Sequence, residues 1–310
     1  MSFLETLLDG NNEKERKNKA ACAAAIAITA ILLVIAIIAF SICLIIDSTP
    51  VGPNDSTGDH KIENVEKKSF GGGESNAIKE GLLLTLNNTH RFTGTPSNLV
   101  NLQSWEDRPK TPEKDDAGNP INAYSVHYKD NSYATRETTI ALNEMLKAFY
   151  NTKKNGDLII ETAFDSSAID SQDAVFSAGT AIEFKYFTTD AGKYNETAVI
   201  TNSGDFSWLY NNAHNHGFVA VSSGSNQFRY VGELFATAIK NSGLSFDAFC
   251  AKLKEATYEN PVFLDAAKNY ATYYCPIDNV LVPTDYAYDT DGDNVGGVYV
   301  TVDFTKPKNS

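Results

Sequence analysis

The sequence predicts an α+β domain, an antiparallel-rich sheet with flanking helices, preceded by one transmembrane helix. Three observations lead there. Residues 20–46 carry no charged side chain, whereas the remainder mixes charge and apolar residues as a folded domain does. Thr180–Phe187 (TAIEFKYF) alternates with the period of a half-buried strand. Leu142, Met145, Leu146 and Phe149 recur at the spacing of one helix face.

Taken in order, residues 1–19 read as a cytoplasmic tail. Lys14, Arg16, Lys17 and Lys19 flank the apolar stretch on that side and Asp47 flanks the other, the asymmetry of a span whose N-terminus stays in the cytoplasm. At about 1.5 Å rise per residue, Ala20–Ile46 outruns a hydrocarbon core of roughly 30 Å. A cleaved leader would have an apolar region of about 7–15 residues ending in a small-residue site, so a retained anchor is expected. Residues 47–75 are rich in Pro, Gly and charge and read as a flexible linker. The folded part is expected over 76–305, in the extracytoplasmic space. Cys250 and Cys275 would lie there, and the sequence leaves open whether they are bridged or free. The chain has 39 Asp and Glu against 26 Lys and Arg, for a net charge of −13. Nucleic acid, which demands a basic surface, is excluded as a partner.

Within the folded part, Gly81–Leu86 (GLLLTL) reads as a strand and 104–132 as a long surface loop. Ala134–Tyr150 reads as a helix, Leu158–Phe164 as a strand, and Thr197–Thr201 as a further strand beside Thr180–Phe187. Asp205–Ala213 suggests a short helix and Phe218–Ser222 a strand. Glu233–Lys240 is helical and stopped by Gly243. Ser245 caps a second helix, Phe246–Leu253, with Asp247 in its first turn. From Tyr270 the chain alternates around Asp289–Asn294 (DTDGDN) and reads as a hairpin. A calcium loop would need Gly in its sixth place and Glu in its twelfth. Asn294 and Val300 stand there, so a tight turn is the expectation.

Trp208–Phe218 (WLYNNAHNHGF), followed by Phe228–Gly232 (FRYVG), resembles the VanY-type D-alanyl-D-alanine carboxypeptidases, which carry W-L-x-x-N-A-x-x-Y-G-F and then E-P-W-H-F-R-Y-V-G. Leu158–Ser166 sits where that family has a strand ending S-G-Y-R-S. Gly179–Glu183 sits where it has S-x-H-x-x-G-x-A-x-D. The resemblance spans roughly Asn76–Phe304 and implies a zinc D,D-peptidase-like fold. It also implies a zinc ion held by two His and one Asp, with a Glu as general base on the bound water.

Carried over residue by residue, the catalytic set is missing. The zinc His positions hold Phe176 and Gln227, the zinc Asp position Glu183, and the base position Gly224. The Arg that would meet the substrate carboxylate is Asp165, a reversal of charge, and the Ser before it is Thr162. Arg229 matches the family, as do the framework residues Gly179, Trp208, Ala213, Gly217 and Tyr230. The expectation is therefore an inactive member with vestigial pocket positions Phe176, Glu183, Gly224 and Gln227. Thr162, Asp165 and Arg229 stand at the substrate-binding positions, no metal ligands remain, and no cofactor is expected where the family uses zinc. Its expected partners are the membrane and a peptidoglycan peptide or an envelope protein. The alternative is an active metal-dependent D,D-carboxypeptidase with a rearranged site built from Glu183 and His214 or His216. No G-x-S-x-G or phosphate-binding loop is present.

Overall fold

The computed structural model describes residues 60–308, apart from 71, 88, 94, 104–112, 115–119, 122–126, 129–131, 166–173 and 189–195. The tail, the expected span and the linker up to residue 59 lie outside the described residues. Among the described residues no helix is long and apolar enough to cross a membrane.

The described chain begins with a strand where linker is expected. Strand β1 (Val65–Lys67) pairs antiparallel with Leu281–Pro283. Ile62 is buried beside Val280 and Val282, and His60 stacks on Phe304 at 4.9 Å. The linker expectation is corrected from His60 onward: two well-spaced apolar side chains and a free strand edge suffice to dock a segment without obvious periodicity. Helix α1 (Glu74–Ala77) follows. Gly81–Leu86 is no strand. Leu83 and Leu84 are buried, but the backbone here is held by other groups: Leu82 N–H donates to Asp291 Oδ1 at 2.9 Å and Thr85 N–H to the Asp293 carbonyl at 2.9 Å.

Strand β2 (Leu99–Asn101) is the partner of a later strand, and β3 (Glu113–Lys114) pairs with β4 (Pro120–Ile121). Strand β5 (His127–Tyr128) joins the main sheet, so the stretch expected as loop contributes pairing. Strand β6 (Tyr133–Thr135) pairs with β2 and leads into helix α2 (Arg136–Lys153). Thr135 caps α2, its Oγ1 accepting from Thr138 N–H at 3.3 Å. Strand β7 (Leu158–Thr162), a 3₁₀ turn (Ala174–Ala178), β8 (Ala181–Thr188) and β9 (Glu196–Val199) come next. Helix α3 (Ser207–Asn212) and a 3₁₀ turn (Ala213–His216) precede the hairpin of β10 (Phe218–Ala220) and β11 (Gln227–Tyr230).

These strands make a sheet in the order β10-β11-β8-β7-β5, with β9 also paired to β8. All its pairs are antiparallel except β5–β7. The face of α2 predicted from spacing lies on this sheet: Leu142, Met145, Leu146 and Phe149 are buried with Ile160, Ile182, Phe184, Phe218 and Phe228. Gly217 makes the turn into β10 with φ +79°, and a Cβ there would stand 2.6 Å from the Tyr230 ring. Only glycine fits that backbone and that space.

Helix α4 (Glu233–Ser242) ends at Gly243 in the left-handed conformation, and helix α5 (Phe246–Lys254) starts from the Ser245 cap, both as expected. They share a core with Val219 and Val231. Strands β12 (Val262–Phe263), β13 (Tyr270–Pro276), β14 (Leu281–Pro283, the partner of β1), β15 (Tyr286–Gly292) and β16 (Gly297–Pro307) complete the chain. A second sheet has the order β12-β13-β16-β15. Cys250 and Cys275 are free and buried, one in the core of α4 and α5, the other in the core of the second sheet.

The turn at Asp293 is built on hydrogen bonds. Asp293 Oδ1 accepts the N–H groups of Val295, Gly296 and Gly297 at 2.8, 2.8 and 3.0 Å, and Oδ2 accepts from Tyr274 Oη and Lys254 Nζ, both at 2.9 Å. Both oxygens are thus engaged within the protein. The same turn holds the segment before β2, with Asn294 Nδ2 donating to the carbonyls of Thr85 and Arg91.

Candidate active site

Strand alternation decides which side chains meet. On β8, Ile182 and Phe184 point into the α2 core, so Ala181 and Glu183 share the opposite face. On β11, Phe228 points to the α2 core and Gln227 and Arg229 lie on the other face; Gln227 is directly opposite Glu183. On β7 the register slips between Ile160 and Thr162, so that Ile160 faces Phe184 but Thr162 faces Glu183. This bulge turns Thr162 out of the core and onto the Glu183 face. Three expected site positions, Thr162, Glu183 and Gln227, therefore form one row across three neighbouring strands.

Within the row, Glu183 is held at both carboxylate oxygens. Thr162 Oγ1 donates to Oε2 at 2.9 Å, and Asn226 Nδ2 donates to Oε1 at 3.1 Å and to the Phe184 carbonyl at 2.9 Å. Two residues along β8, Lys185 pairs with Glu161 at 3.1 Å. Asn226 and Lys185 were not singled out from sequence. The signal for Asn226 was its place immediately before Gln227, which a hairpin register would have put beside β8.

Phe176 lies on the same side of the sheet and is 1% exposed, packed with Val175, Ala181 and Val221. The Phe176 carbonyl accepts the Asp165 N–H at 3.3 Å, so the structure brings these two positions together as well. Gly224 sits in the β10–β11 connection with φ +74° and open space where a side chain would be. Arg229 is the exception. At 4% exposed, its guanidinium lies 4.4 Å from the Phe246 ring centre and donates to the Leu82 carbonyl at 3.1 Å. Burial pulls its pKa down to about 10. It is packed as a framework residue, where the expectation had it as a substrate contact.

The alternative ligand set does not come together. His216 lies 6.1 Å from Trp208 between ring centres and within the fields of Glu144 on α2 and Glu233 on α4. His214 lies in the same 3₁₀ turn, near Lys240. Burial holds both imidazoles below the ordinary histidine value. Among the described residues, no three His, Cys, Asp or Glu side chains are grouped as a metal site.

No family model matches the sequence, and no curated protein matches it. Solved structures do. The VanXYg D,D-dipeptidase, solved with a D-Ala-D-Ala phosphinate analog, aligns over 77% of this chain and 98% of its own, with 15% identity and a TM-score of 0.51. The fold is that of the VanY-like D,D-peptidases. The LdcB LD-carboxypeptidase aligns over 61% of this chain and 94% of its own, with 15% identity and a TM-score of 0.36. A point mutant of the D,D-pentapeptidase VanY from the VanB-type resistance cassette, in complex with Zn(II), aligns over 55% and 98%, with 11% identity and a TM-score of 0.33.

The Zn(II) in that VanY complex corrects the expectation that no cofactor belongs here. The residues at the positions carried over are a separate matter. Phe176 has no donor atom, Gln227 offers a neutral amide, and both oxygens of Glu183 are already bonded. That donor set does not fit a zinc ion.

Proposed function

We propose that this VanY-like domain is a non-hydrolysing module that binds a peptidoglycan stem peptide outside the cytoplasm, tethered by the apolar segment 20–46 with the N-terminus inside. The observation that carries this reading is the row Thr162–Glu183–Gln227. Its one carboxylate is committed to Thr162 and Asn226, and Phe176 is packed into the core beside it. Hydrolysis needs a base on a water, and the position the resemblance gives to that base is Gly224.

What remains is a partly exposed polar strip of Glu161, Thr162, Glu183, Lys185, Asn226 and Gln227, suited to peptide amides. VanXYg in complex with a D-Ala-D-Ala analog supports a peptide as the ligand class. Asp165 would repel a terminal carboxylate, so the peptide is engaged through its amides and side chains.

The test is made on the full-length chain with a stem pentapeptide ending in D-Ala–D-Ala, in zinc-containing buffer. Peptide binding without release of D-Ala, weakened at least several-fold by Glu183→Ala, is expected. Chelator-sensitive release of D-Ala refutes the non-hydrolysing reading, and absence of any peptide binding refutes the ligand. Protease protection in membrane vesicles tests the orientation, with residues 60–308 expected on the outer side.

A further inference from the structure

A second site lies at the outer edge of β10, with β11 between it and the strand that carries Glu183. A cavity of about 370 Å³ opens there between the Ala213–His216 turn and the corner joining α4 to α5. Its floor is apolar, formed by Phe218, Phe228, Ile239 and Phe246. Leu244 stands at its lip, 37% exposed.

The one charged side chain among the residues lining this cavity is a cation. Lys240 lines it and spends one N–H on the Tyr210 carbonyl at 3.3 Å, which leaves two donors. His214 lines it with Nδ1 buried and without a hydrogen-bond partner, and it lies close enough to Lys240 to be repelled as a cation. Ser222, Ser223 and Ser245 add hydroxyls, and no Asp or Glu is among the lining residues. In a chain of net charge −13, a cavity lined by an ammonium, an imidazole and hydroxyls over aromatic walls is a local inversion of charge.

We propose that this cavity binds a small organic carboxylate with an apolar body. The body lies on Phe218, Phe228 and Phe246, and the carboxylate accepts from Lys240 Nζ and His214 Nδ1. Apolar walls with a few convergent polar groups are the usual form of a small-molecule site. A buried imidazole nitrogen without a partner is a group that a ligand would complete. The site is independent of Glu183, so it stands or falls apart from the peptide-binding reading.

The test is calorimetric titration of the full-length chain with 3-phenylpropionate and with its neutral amide, with the His214 imidazole resonance followed by NMR. Binding of the carboxylate, at least roughly ten-fold weaker binding of the amide, and a shift of the His214 resonance are expected. Lys240→Met, at an exposed position, would weaken the carboxylate roughly ten-fold, and Ala220→Trp, which fills the cavity, would abolish binding. Equal binding of acid and amide overturns the proposal. So does unchanged affinity in a folded Ala220→Trp chain, or no binding of the acid at about 10 mM.

Discussion

Asp293→Ala is the most demanding perturbation of this fold. The Asp293 side chain is fully buried and accepts the N–H groups of Val295, Gly296 and Gly297. Its other oxygen takes the Tyr274 hydroxyl and the Lys254 ammonium. Each stranded buried donor costs about 1–3 kcal/mol. Lys254 is 33% exposed and can turn to water, so its share is small. Allowing the turn to relax, the loss is about 4 kcal/mol, in the range for removing one partner of a buried pair. Asp293→Asn keeps one carbonyl oxygen for the three N–H groups but turns an amide toward Lys254, and loses about 2 kcal/mol. The three backbone N–H groups and Lys254 hold the folded-state pKa down, at about 2 against an ordinary 3.8, with burial opposing them. A carboxyl depressed on folding contributes stability that is complete above its unfolded pKa and vanishes as pH falls through the folded one. The gap between parent and Asp293→Asn should therefore be full at about pH 6 and close between about pH 4 and about pH 2. Urea unfolding of the full-length chain, followed by tryptophan fluorescence, measures it. A loss under about 1 kcal/mol for Asp293→Ala would refute the hydrogen-bond account. Stabilisation of the parent by millimolar calcium would refute the assignment of both oxygens to protein donors.

Other consequences are as direct. Gly217→Ala places a Cβ at 2.6 Å from Tyr230 on a φ of +79° and should lower stability by about 2–3 kcal/mol in the same assay; an unchanged midpoint would contradict the turn described. Phe149→Ala, in the centre of the α2 core, should cost about 3–5 kcal/mol. The Cys250 thiol is pushed up to about 11 by burial, so at about pH 8 it should resist iodoacetamide in the native chain and react on unfolding, as read by peptide mass mapping. The triple variant Phe176→His, Glu183→Asp, Gln227→His should raise zinc affinity at least roughly ten-fold over the parent by equilibrium dialysis. A folded variant with unchanged affinity would show that these positions do not converge.

Much of the architecture was legible along the chain because it depends on local spacing. The apolar face of α2, the alternation of β8, the stop at Gly243 and the cap at Ser245 each involve residues within a few positions of one another, where periodicity and capping chemistry act directly. The same local pattern, with Gly179, Trp208 and Gly217 in order, is what singled out Phe176, Glu183, Gly224 and Gln227, and the strand register brings Glu183 and Gln227 opposite one another.

What the sequence could not decide were facts of register and of distant partners. The slip at Glu161 that turns Thr162 toward Glu183 is a property of a pair of strands. The strand expected at Gly81–Leu86 fails because its backbone is taken by Asp291 and Asp293, far along the chain, and the same contacts explain the acidic turn. The segment after His60 gains a partner in Leu281–Pro283 that no local pattern reveals. Arg229 matches a family motif in one dimension, yet it is sealed beneath Phe246 in three. Short-range order is encoded by neighbours in the chain, and the residue types alone were enough to determine it; which groups satisfy a carboxylate or cover a guanidinium is settled only when the folded chain brings remote segments together.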